Sequence, residues 1–148
     1  MKVFNSYGSK ERLFEMMKRV NNLNEQILPK EKKEEVINEF IAFAKEKLEL
    51  GEQMPGIEIS YDEQEAPGMK SFGKYTPGTN KLRVVAVNRN LADVLRTLAH
   101  ELVHDKQRKA GVLNQDSNET GSEHENEANA LAGVLLREFG QQNPIIFE

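Results

Sequence analysis

Leu98-Ala99-His100-Glu101-Leu102-Val103-His104 is the stretch from which the rest of the chain can be read. It lies in a run whose apolar residues, Leu91, Val94, Leu95, Leu98, Leu102 and Val103, recur at three- and four-residue steps. That spacing predicts an amphipathic helix, capped by Asn90 and ending near Gly111. His100 and His104 are four positions apart, and on a helix such residues lie one above the other on the same face. Both imidazoles can therefore reach a single ion. Of the three histidines, His100, His104 and His124, two fall in this motif.

An H-E-x-x-H segment on a helix matches a zinc-hydrolase pattern, in which two imidazoles bind the ion and the glutamate serves as general base. Glu101 takes that role here. A catalytic zinc commonly has three protein ligands, so a third must come from elsewhere. A second helical pattern opens at Ser122, with Ala128, Leu131, Val134, Leu135 and Phe139 facing inward and Gly140 as its stop. Its segment Glu125-Asn126-Glu127-Ala128-Asn129 offers Glu125 as the ligand. Asn129, one turn on, is placed to hydrogen-bond the far nitrogen of a ligand histidine. Glu123, His124 and Glu127 are the rival ligands. Glu125 also stands three residues after Ser122, where it can complete a capping box instead.

Ahead of the motif the period changes. Ile57, Ile59 and Tyr61 alternate with polar residues and predict a short strand. Residues 70–75 and 82–87 flank Thr76-Pro77-Gly78-Thr79, which suits a type II turn and predicts a β-hairpin. The first third predicts two helices. Leu13, Met16, Met17, Val20, Leu23 and Ile27 line one, with Ser9 as N-cap. Val36, Ile37, Phe40, Ile41, Ala44 and Leu48 line the other, with Pro29 in its first turn and Gly51 at its end. Helices, then strands, then helices make the fold class α+β.

At 148 residues the chain is expected to form one domain with a sizeable core. A net charge of −4 gives no footing for nucleic acid or an anionic membrane. The absence of cysteine excludes disulfides and cysteine-ligated zinc. With no apolar stretch suited to an export signal or a bilayer span, the expected compartment is the cytoplasm.

The segment around His100-Glu101-Leu102-Val103-His104, followed by Glu125-Asn126-Glu127-Ala128-Asn129 and preceded by the hairpin, resembles the zincin metallopeptidases of the gluzincin type. Within them it is similar to minimal peptidase domains of the ImmA/IrrE type. The resemblance covers roughly residues 57–139 and leaves the helical pair of residues 9–50 unexplained. It implies a minimal zincin-like fold, a small antiparallel or mixed sheet with an active-site helix and a following glutamate helix. It also implies Zn2+ held by His100, His104 and Glu125, with Glu101 as the catalytic base. Residues 70–76 would be the edge strand on which a protein or peptide substrate adds by β-augmentation.

The function expected is therefore zinc-dependent endopeptidase action. A donor to the oxyanion is commonly needed as well, and His124, Tyr75 and Tyr61 are the candidates. Two alternatives stand beside this reading: a zincin-like hydrolase of a non-protein amide such as the cell wall, and a non-catalytic metal-binding interaction module. The intact Glu101 favours the enzymes. Two histidines and a carboxylate are also a non-haem iron set, although that class does not call for a glutamate base within the motif helix.

Overall fold

The computed structural model describes residues 28–62, 64, 72–76, 79–111 and 122–147. The helix expected over residues 9–27, the Pro77–Gly78 turn and the loop of residues 114–121 lie outside the described residues.

Helix α1, Lys30–Lys47, buries Val36, Ile37, Phe40 and Ala44 along one face. Pro29 stands at the N-cap and not in the first turn, and its carbonyl accepts from Lys33 N–H at 3.0 Å. Gly51 does not end the helix. Leu48 is the C-cap, and Glu49 takes the left-handed turn at φ 55°. The N–H groups of Glu49 and Leu50 then donate to the carbonyls of Glu46 and Lys45, at 3.2 and 3.0 Å. Those two bonds form a Schellman closure, for which glycine is the usual residue at the left-handed position. Leu50, buried just beyond it, holds the closure against the core.

The alternating stretches form a three-stranded mixed sheet of order β1-β3-β2, from β1 (Gly56–Ser60), β2 (Gly73–Thr76) and β3 (Lys81–Val85). β1 runs parallel to β3, and β2 pairs with β3 as the expected hairpin, Gly73 opposite Val84 and Thr76 opposite Lys81. Leu82 and Val84 point into the core from the central strand. β2 is thus an outer strand, hydrogen-bonded to β3 along one side.

Helix α2, Leu91–Lys109, is the motif helix, and it follows the sequence pattern closely. Asn90 caps it by accepting from Asp93 N–H at 2.8 Å, and Gly111 follows its end at φ 74°. Leu95, Leu98, Ala99, Leu102 and Val103 are fully buried, so one face of the helix lies at the centre of the core. Its start is tied to β3 by Arg89, which donates to Val85 O at 2.7 Å and to Asp93 Oδ2 at 2.9 Å.

Helix α3, Glu123–Gln142, packs against α2 and α1. Ser122 caps it, as its sequence predicts, by accepting from Glu125 N–H at 3.1 Å. Ala128, Ala132, Leu135, Leu136 and Phe139 are buried, whereas Val134 is exposed, contrary to the expected stripe. Phe139 meets Phe40 of α1 edge-on, with ring centroids 5.1 Å apart. Gly140 does not stop the helix. It lies within it and is buried, and its missing side chain makes room for the ring of Phe147. A 3-10 turn, Pro144–Phe147, folds back there and buries Ile146, so the apolar tail docks on the core. No helix among the described residues is long and apolar enough to cross a membrane.

Candidate metal centre

The buried stripe of α2 fixes the rotation of that helix, and this rotation leaves His100 and His104 on the side turned to α3. The two rings meet edge to face, with centroids 4.6 Å apart and both Nε2 atoms aimed at a common point, 3.1 Å from each other. The third group arrives from the first turn of α3. Glu125 puts Oε1 at 3.0 Å from Nε2 of His100 and Oε2 at 2.9 Å from Nε2 of His104. The Ser122 cap sets this position, because it fixes where α3 starts relative to α2. The ligand-type atoms of His100, His104 and Glu125 all lie within 4.8 Å of one another, the one such cluster among the described residues.

The chemistry of this donor set fits a divalent cation. Two atoms each about 2.0–2.1 Å from a tetrahedral zinc lie about 3.3 Å apart. The observed separations, 2.9 to 3.1 Å, are close to that value. The tautomer of His104 points the same way. Gln107 sits on the same helix and is buried. Its Nε2 donates to His124 O at 3.0 Å and to Glu127 Oε1 at 2.9 Å, which leaves its Oε1 facing Nδ1 of His104 at 2.8 Å. An amide oxygen can only accept, so Nδ1 of His104 carries the proton. In the neutral ring that tautomer turns the lone pair of His104 Nε2 toward the carboxylate of Glu125. A lone pair turned to a carboxylate oxygen in this way makes a place that can hold a cation.

Glu101 lies on the neighbouring side of α2, against β2. Gly73 of that strand is so close that a Cβ built there would stand 2.7 Å from Cγ of Glu101 and 3.0 Å from its Oε1. Burial pushes the Glu101 carboxyl above the usual carboxylate range; His100, His104 and Arg108 pull it down, and Glu125 raises it. Burial is the largest of these influences, so the group is held as a stronger proton acceptor than an exposed glutamate.

The remaining sequence candidates fall elsewhere. Asn129, expected to orient a ligand histidine, is exposed, and the far nitrogen of His104 is held by Gln107. Glu123 is exposed, and Glu127 directs an oxygen to Gln107. His124 is half-buried, and its main-chain carbonyl is the group that faces α2. Tyr75 of β2 stacks under the Arg108 guanidinium, 3.4 Å from the ring centroid, and donates its hydroxyl to Asn80 Oδ1 at 3.2 Å. Tyr61 lines a cavity of about 310 Å³ with Ile37 of α1 and Leu91 of α2, among others, a cavity lined by none of the metal-cluster residues.

Gln107 and Gly73 touch His104 and Glu101, and neither contact was expected from the sequence. The spacing carried a signal for the first, since Gln107 is three residues after His104 and so shares its helix face. Asp105, next to His104, is buried between cations: Arg108 Nη1 reaches its Oδ1 at 3.1 Å, and Lys109 Nζ approaches its Oδ2 at 2.8 Å from off the hydrogen-bond axis. No protein-family model, curated protein or solved structure matches the chain.

Proposed function

We propose that the chain is a zinc-dependent metalloendopeptidase of zincin-like build, acting in the cytoplasm on a protein or peptide segment. The observation that carries this reading is the convergence of His100, His104 and Glu125 beside a buried Glu101. A non-catalytic module would have no use for the last of these.

The chemistry that zinc supplies when bound by the three side chains is Lewis acidity, which polarises a scissile carbonyl and acidifies a water. Glu101 accepts the proton of the attacking water and passes it to the leaving amine. Its raised proton affinity suits both halves of that exchange. Gln107 keeps His104 in the tautomer whose Nε2 is available to the ion. Because β2 is an outer strand beside Glu101, a peptide extended along it carries its carbonyls past the base.

The test is hydrolysis of an unfolded protein such as casein by the zinc-loaded chain, run beside Glu101→Gln and beside peptidoglycan as substrate. Cleavage of casein by the wild type and none by the variant is the expected result. Turnover of peptidoglycan alone would move the substrate to the cell wall, and activity surviving in Glu101→Gln would remove the base from its role.

A further inference from the structure

We propose that Gln107 and Glu127 form a clasp that positions two of the metal ligands at once; the inference builds on the metal reading of the site. Gln107 is 3% exposed, and its amide makes three hydrogen bonds with three different residues. One end of the amide accepts from Nδ1 of His104. The other donates to α3 on both sides of the third ligand in sequence, to the carbonyl of His124 and the carboxylate of Glu127. Gln107 therefore sets the ring of His104 and the start of α3, which carries Glu125, by one rigid group.

Glu127 adds charge to this arrangement. Metal-bound histidines commonly donate their second N–H to a carboxylate, which raises the basicity of the binding nitrogen. Here the carboxylate of Glu127 stands one amide further back. It polarises the Gln107 amide, so Oε1 becomes a stronger acceptor and Nε2 of His104 a stronger donor to the cation. Glu127 is exposed, so the core has no need of its side chain. Gln107 and Glu127 are positioning residues in this scheme.

The experiment measures zinc dissociation constants by chelator competition on the full chain, with the melting of the metal-free protein recorded alongside. Gln107→Leu is expected to weaken zinc binding about 10–100-fold. Glu127→Gln is expected to weaken it less, in the same direction, with the metal-free melting temperature unchanged. Zinc affinities within about twofold of wild type for both Gln107→Leu and Glu127→Gln would overturn the clasp while leaving the metal site standing. A wild type that binds no zinc overturns the metal reading itself, and the clasp with it.

Discussion

Gly73 and Glu101 occupy adjoining space that would close if residue 73 carried a side chain: a Cβ there would lie 2.7 Å from Cγ of Glu101. An outer strand and the proposed base are thereby packed without an intervening atom. Gly73→Ala is expected to displace the Glu101 carboxylate while leaving the three ligand side chains in place. Misplacing a reacting group by a fraction of an ångström to an ångström costs about 10–100-fold in rate. The substitution should therefore lower kcat/KM by that order with zinc content unchanged. Equal activity in the alanine variant would show that the contact has no catalytic consequence.

Glu101 also ties the site to stability. Burial holds its folded-state proton affinity above that of the unfolded chain, so the fold favours the neutral acid. The stabilisation this gives is fully present below the ordinary carboxylate range and is lost as pH rises through the folded value. At neutral pH this preference for the acid works against folding, and Glu101→Gln removes that cost. Metal-free Glu101→Gln should therefore melt higher than metal-free wild type near pH 7. The gap should narrow as the buffer is taken down to about pH 4, near the ordinary glutamate value. A gap that widens on acidification would mean that the carboxylate is stabilised by its surroundings.

Much of this arrangement is written in the helix periodicity. The stripe from Leu91 to Val103 fixes which face of α2 is buried and hence which side presents His100 and His104. Ser122 likewise marks the start of α3 and brings Glu125 into reach. The periodicity reads one helix at a time, so it pointed to Asn129 as the partner of a histidine in the motif and passed over Gln107. Both stand one turn from a candidate ligand, and only the docking of α3 on α2 decides between them. The turn chemistry misled for a related reason. Gly51 and Gly140 each look like a helix stop, yet Glu49 closes α1, and Gly140 gives its space to Phe147. Glycine marks a need for room as readily as a need for positive φ, and the sequence does not say which.

The end of α1 yields a prediction about strain. Glu49 holds φ 55° although it carries a side chain, and Gly51 nearby holds φ 66°. A side chain in the left-handed region costs about 1–2 kcal/mol relative to glycine. Glu49→Gly should stabilise the protein by about 1 kcal/mol, the gain being reduced by the extra freedom of glycine in the unfolded chain. Gly51→Ala should destabilise it by about 1 kcal/mol. Denaturant titration of both variants checks this pair, and a loss of stability in Glu49→Gly would mean that its side chain has an offsetting contact.

The most direct test is metal content by elemental mass spectrometry after zinc loading and dialysis, wild type beside Glu125→Ala. The two-histidine, one-carboxylate centre predicts one zinc per wild-type chain. It predicts zinc in the variant reduced to about a tenth or less, since losing one of three protein ligands undoes the site. Zinc retained in full by Glu125→Ala would contradict the role of that carboxylate. No zinc in the wild type would contradict the metal centre altogether.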